Sequence, residues 1–252
     1  MSKKGQVGVF AAVGVVIVIL VALFFFLRNE YGIFISPTSF LSDKSKPIED
    51  NLRNCVNDAV TNSLNLFGKQ GGDFNPSQYK FYQSMNVKYF CTNIPGEDKC
   101  LNVMPTIGQV VQEFNNKIQV DARNCVDKDL VKSSLGYDVE AGELTTTTNA
   151  AGSTLTVRSD YDVKIIKGET QSTVRGVTLS YDVPLEELYA VAVDIVNSEA
   201  NTGFFEQLLY MVNERGQYII NVDKPYPDKI YKVNKKDSDF EFWFAVEGER
   251  NI

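Results

Sequence analysis

Four cysteines and a few paired carboxylates are the side chains of this 252-residue chain best suited to chemistry, and no histidine accompanies them. Without histidine, Ser-His-Asp and Cys-His catalysis, the commonest zinc sites and the usual side-chain acid-base near neutral pH drop out. Cys55, Cys91, Cys100 and Cys125 are left with two chemistries, metal ligation and disulfide formation. A four-thiolate zinc site wants two close pairs, and only Cys91 and Cys100 are moderately close. An even number of cysteines in an outward-facing domain reads instead as two disulfides, with three connectivities open. Pro95-Gly96 between Cys91 and Cys100 signals a turn, so a local bridge is natural there and Cys55 pairs with Cys125 by default.

The carboxylates offer less. Asp160 and Asp162 lie on one face of an alternating stretch, and Asp182 is expected across from them, where such groups could bind calcium or act as acid and base. Alternating charges on a strand are more often a solvated face. Asp127-x-Asp129 and Asp237-x-Asp239 lack the glycine and distal glutamate of a calcium loop and read as turns. No P-loop, dinucleotide glycine pattern, G-x-S-x-G or metalloprotease helix motif occurs. No catalytic, cofactor-binding or metal-ligating residue is therefore assigned, and no cofactor. The net charge of −7 disfavours nucleic acid, which needs clustered Lys and Arg.

These groups must be positioned by elements whose periodicity is legible. Tyr31 to Lys46 reads as an irregular connector, after which Pro47 opens a helix with Glu49 and Asp50 in its first turn. Ile48, Leu52, Cys55, Val56, Ala59, Val60, Leu64 and Phe67 recur at helical spacing, and Gly68 stops the helix. Residues 78–103 look extended, with the Cys91–Cys100 loop joining two short strands. Thr106-x-x-Gln109 matches a capping box, and the following stripe of Ile107, Val111, Phe114, Ile118, Ala122 and Cys125 puts Cys125 on a buried face. Two such helices can pack with Cys55 and Cys125 toward each other. From Tyr137 the period changes to two, and Leu155 to Ile165 reads as one long strand returning through Val177 to Val183, with a bulge at Gly176. Thr145–Thr148 suits an edge strand or an exposed loop. Pro184 starts a third helix, a fourth runs from Phe204 to Arg215, and strands over Tyr218–Val222, Ile230–Val233 and Phe240–Val246 complete the chain. Phe240, Phe242, Trp243 and Phe244 place rings on both faces of the last strand, which predicts burial on both sides, the alternative being an edge strand open to a partner. Segregated helices and antiparallel hairpins give an α+β class, as one domain over 47–252 with a possible division near 135.

Ahead of all this stands Met1-Ser2-Lys3-Lys4, followed by an uncharged apolar run from Val7 to Leu27 that Arg28 closes. About 20 such residues at ~1.5 Å each cross a bilayer as one helix. Lys3 and Lys4 are the positive cluster before it, so the head is expected in the cytoplasm and the domain outside. The run is longer than the core of a cleavable secretory peptide, and Phe24-Phe25-Phe26-Leu27-Arg28-Asn29 offers no small-residue cleavage site. The expected organisation is a basic head over 1–5, a transmembrane helix over 6–28, a connector over 29–46 and an extracytoplasmic domain. Gly8-x-x-x-Ala12 is a small-x-x-x-small pattern that lets membrane helices approach closely.

Lys4-Gly5-Gln6-Val7 before the apolar run resembles the class III signal peptide of archaeal type IV pilin-like proteins. The resemblance implies a prepilin peptidase cut between Gly5 and Gln6 that leaves the helix on the mature protein, and assembly with like subunits. The acidic residue usual a few positions into such helices is absent from Val7-Gly8-Val9-Phe10-Ala11. A plain signal anchor is the other reading of the same residues. Cys55-Val56-Asn57-Asp58-Ala59-Val60, on a helix running to Gly68-Lys69-Gln70-Gly71-Gly72, resembles a group of archaeal membrane-anchored surface proteins with no assigned activity. Together these imply an anchored structural or interaction protein of the cell surface, whose partners are the lipid bilayer, a prepilin peptidase and like subunits. The alternative is an anchored extracytoplasmic solute-binding or carboxylate-based enzyme domain.

Overall fold

A 33-residue helix, α1 (Pro37–Lys69), runs through the molecule and organises the rest. The structure, a computed structural model, describes residues 37–94, 96, 99–126, 138–167 and 170–248. At ~1.5 Å per residue α1 is about 50 Å long. It starts ten residues before Pro47, so residues 37–46 are not the irregular connector expected there. Pro37 takes the first helical position, where a missing N–H is harmless, and interior Pro47 forgoes one hydrogen bond in a long ladder. Ile48, Leu52, Cys55, Val56, Ala59, Val60 and Phe67 form its buried stripe.

The main sheet has the order β1 (Tyr79–Tyr82), β2 (Met85–Asn93), β12 (Glu241–Val246), β11 (Lys229–Lys235), β10 (Tyr218–Asp223), with β3 (Cys100–Asn102) also paired to β2. All pairings are antiparallel except β12 with β2, where Ala245 lies opposite Tyr89 and Val246 opposite Cys91. One face carries Phe90, Tyr231, Phe242 and Phe244 into the main core, with Phe90 and Phe244 stacked at 5.0 Å. The other face is covered by the β1–β2 hairpin folded back across it. Tyr82, near the tip of that hairpin, hydrogen-bonds Asp223 on the far edge strand at 2.8 Å, and Lys232 lies over the rings of both Tyr82 and Trp243. Val87, Ile230, Trp243 and Ala245 fill this second, smaller core. Burial on both faces accounts for the aromatic run in β12.

Helix α2 (Ile107–Cys125) starts with the expected Thr106–Gln109 capping box. Its deepest line is Val110, Phe114, Ile118 and Ala122 rather than one through Val111, and Cys125 is exposed at the helix end. Strands β4 (Asp138–Ala141), β7 (Val163–Lys167) and β8 (Thr170–Val174) form one small sheet; β5 (Thr145–Ala151), β6 (Thr154–Asp160) and β9 (Val177–Asp182) form another. The stretch from Leu155 to Ile165 is thus two strands, not one. It breaks at Tyr161-Asp162, and the returning strand breaks beside it at Arg175-Gly176. Gly176 has φ 118°, and a Cβ there would stand 2.1 Å from the Ser159 carbonyl oxygen, so the corner needs glycine. The expected bulge is a bend shared by both strands. The threonine run is edge strand β5, whose Thr146 and Thr148 hydrogen-bond Asn115 of α2.

Helix α3 (Leu185–Thr202) has Glu186 and Glu187 in its first turn and ends at left-handed Gly203. Helix α4 (Gln207–Asn213) is shorter than the expected 204–215 and packs on β10. Residues on both sides of position 135 share one continuous hydrophobic core. Among the described residues no helix is long and apolar enough to cross a membrane.

Candidate functional site

Gly5, Gln6, Gly8 and Ala12 lie outside the described residues, as does the apolar run itself, and Asp127 and Asp129 lie outside them too. The cysteines are joined as Cys55–Cys125 and Cys91–Cys100, with Cα separations of 5.6 and 5.4 Å. The first bond ties α1 to the end of α2; the second closes the β2–β3 hairpin. No cysteine is free.

The sheet register separates the carboxylates. Asp160 lies opposite Thr145 at one end of its sheet, and Asp182 lies opposite Thr154 at the other. Asp160 is instead paired to Arg158 at 2.9 Å, and Asp162 sits in the corner between β6 and β7. The expected grouping of Asp182 with Asp160 and Asp162 is therefore absent, because the strand that carries them bends and Asp182 is at the distal end. Asp182 is placed elsewhere. With Asp237, Asp239 and Glu241, beside Thr61 and Asn65, it lines an open cavity of about 430 Å³. These side chains do not converge: among the described residues no group of three or more His, Cys, Asp or Glu is placed to hold a metal ion.

The buried charges are elsewhere, at residues that the sequence did not single out. Glu199, on the inward face of α3, is 2 % exposed. Its carboxylate accepts Lys229 Nζ at 2.9 and 2.7 Å and the Tyr231 hydroxyl, and Lys229 Nζ also donates to the Gly203 carbonyl at 3.0 Å. Burial, and then the bond to Glu199, push the Tyr231 hydroxyl far above its ordinary range. Each of the three ammonium protons of Lys229 has an acceptor. Asp228 is likewise buried, bonded to Lys80 Nζ at 2.6 Å, Tyr89 OH at 3.0 Å and the Gly248 amide at 3.2 Å. On the opposite flank of the hairpin, Lys232 and the Tyr82 hydroxyl hold the Asp223 carboxyl below its usual range. Burial acts against the charge of Glu187, but bonds from Lys235, Ser153 and Tyr218 outweigh it and lower that carboxyl too. These networks fasten α3, the β1–β2 hairpin and the β5–β6 turn to the main sheet.

One stretch of the surface is apolar. Phe204, Leu208, Leu209 and Val212 stand exposed on and just before α4, and Ile219 follows on β10. No family model, curated protein or solved structure matches this chain. Function must be argued from these residues. The buried carboxylates Glu199 and Asp228 are internally paired, and the stretch 204–212 carries a cluster of exposed apolar side chains. The sequence did carry signals for both features. Glu199 falls on the stripe of Leu188, Ala192, Ile195 and Val196, and Leu208, Leu209 and Val212 leave α4 with more apolar faces than one packing side can use.

Proposed function

We propose that this chain is a membrane-anchored extracytoplasmic interaction protein and, in the narrower form, a type IV pilin-like subunit of the cell surface. The observation that carries the reading is the pairing of all four cysteines, which suits an oxidising compartment outside the cytoplasm. The basic head and the apolar run from Val7 to Leu27 supply the means of anchoring, with the head inside. The Lys4-Gly5-Gln6 junction supports the narrower form, through its resemblance to a prepilin processing site. The partners in this reading are the bilayer, a prepilin peptidase and like subunits.

The intact mass of the native protein tests it. Loss of residues 1–5 supports prepilin processing, and Gly5→Val should then block it. Full length means a plain anchor, and loss of about 30 residues, as for a secretory peptide, means secretion and refutes anchoring. Protease added to intact cells should digest the domain after Arg28. Protection until the membrane is breached would reverse the orientation.

A further inference from the structure

Helix α4 has no buried residue, yet it is firmly placed. Tyr210 packs on Phe205 with ring centroids 5.4 Å apart and donates to Asp194 at 2.9 Å. Met211 Sδ accepts the Ile220 amide at 3.2 Å, which occupies part of the free edge of β10. The side away from these contacts is apolar: Phe204, Leu208, Leu209 and Val212 are 58 %, 64 %, 59 % and 73 % exposed. Leu208 and Leu209 stand four and three residues before Val212 and so neighbour it on the helix surface, and Phe204 lies in the segment just before the helix.

We propose that this face is the contact between two copies of this chain, α4 packed antiparallel on α4 about a twofold axis. Charge complementarity favours a second copy. Glu206 stands immediately before the helix and Arg215 two residues after it, so an antiparallel pair sets Glu206 of each copy against Arg215 of the other. Both are exposed, Glu206 does no more than cap the Leu208 amide at 3.3 Å, and Arg215 has no ion-pair partner among the described residues. An isologous contact uses each such pair twice.

The area fits as well. Side chains of these sizes at these exposures present on the order of 500 Å² per copy. Pairing would bury at most about 1,000 Å² in total, near the lower bound for a specific interface and short of the ~1,600 Å² of a standard one. Such a contact is weak between free molecules and effective between copies confined to one membrane, where effective concentration rises. In that respect its occupancy rests on the anchoring proposed above.

Placement argues against the anchoring bilayer as the occupant. Asp182 and Val183, at the end of β9, share a cavity with Thr61 and Leu64 of α1, and Gly68 abuts Phe240 and Glu241 at the start of β12. The main sheet that carries α4 therefore sits at the far end of α1, about 30 Å beyond Ile48.

The test is crosslinking of the full chain in native membranes. Chains carrying Leu209→Cys and Val212→Cys, expressed together with different tags, should form a mixed disulfide dimer under mild oxidation. Leu208→Glu should reduce that dimer about tenfold, as expected when a charge enters an apolar contact centre. Glu206→Arg or Arg215→Glu alone should reduce it about two- to fivefold, and both in one chain should restore it. Circular dichroism of each variant checks that the fold is intact. Membrane-bound chain with no mixed dimer overturns the proposal, as does a crosslink only to a protein of another mass or a dimer indifferent to Leu208→Glu. Chain recovered in the soluble fraction overturns the anchoring instead. Pairing is then read by the same crosslink at raised protein concentration, and its absence there overturns the contact.

Discussion

Lys229→Met removes the cation from a carboxylate that is 2 % exposed. In the wild type Glu199 is held by two bonds from Lys229 and one from Tyr231. The substitution leaves the hydroxyl alone and also takes the ammonium donor from the Gly203 carbonyl. Breaking a buried pair by removing one partner costs about 3–5 kcal/mol. Lys229 keeps a quarter of its side chain in solvent, which places the expected loss at the lower end, about 3 kcal/mol.

Urea unfolding of the full chain in mild detergent, disulfides intact, reads this through Trp243. It is the single tryptophan, 5 % exposed, on the strand beside Lys229. An unchanged m-value would show that the comparison is one of stability. Glu199→Gln combined with Lys229→Met neutralises both partners and keeps an acceptor for Tyr231, so it should lie within about 1.5 kcal/mol of wild type. A loss below about 1 kcal/mol for Lys229→Met would refute the assignment of Glu199 and Lys229 as a buried pair that holds α3 to β11.

Three further outcomes follow from the same geometry. Asp223 and Glu187 have folded pKa values below their unfolded ones, so their stabilisation is present above pH ~4 and is lost as pH falls through the lowered values. Asp223→Asn should flatten the acid limb of the Trp243-monitored stability curve, and an unchanged limb would count against the hairpin latch. Gly176→Ala must hold φ near 118° with its Cβ against the Ser159 carbonyl, and a loss of more than about 2 kcal/mol in urea unfolding is expected. Ser159 Oγ is buried with no hydrogen-bond partner among the described residues, so Ser159→Ala should be neutral or stabilise by about 1 kcal/mol, seen as an equal or higher Tm.

Periodicity was a good guide wherever one face of an element is buried, as in the stripes of α1 and α3 and the alternation through β6, β7 and β9. It was blind to bends. Leu155, Val157, Ser159, Tyr161, Val163 and Ile165 are all buried, so the inward face persists through the corner and period two continues across it. What betrays the corner is Gly176, which the alternation alone reads as a bulge. Pro47 misled in the opposite way. A proline is a sound helix-start signal, but with a second proline at position 37 the choice between them depends on tertiary packing that no local pattern carries. Spacing led to the Cys91–Cys100 bridge and helical phase to Cys55–Cys125, although Cys125 reaches its partner from an exposed helix end. Glu199 was passed over because a glutamate in an apolar stripe looks like a stripe edge. Its partners Lys229 and Tyr231 are some thirty residues away and meet it only once β11 has crossed α3.

The polar networks bear on function through where they connect. Asp223 and Asp228 fix the two flanks of the β1–β2 hairpin to β10 and the loop before β11, Glu199 fixes α3 to β11, and Glu187 fixes the start of α3 to the end of β11. Each joins an outlying element to the main sheet. If the proposed anchor holds the chain at its N-terminal end, a pull on the domain enters at α1. It meets the Cys55–Cys125 bond to α2 before it reaches Phe67 and the sheet. A covalent tie at that point shares the load between two helices and shields the buried half of α1 beyond Cys55. That arrangement suits a domain held at one end by a membrane and at the other by a partner. The buried carboxylates Glu199 and Asp228 are both bonded to a lysine, so α3 and the β1–β2 hairpin are each held to the sheet by a charged pair as well as by packing.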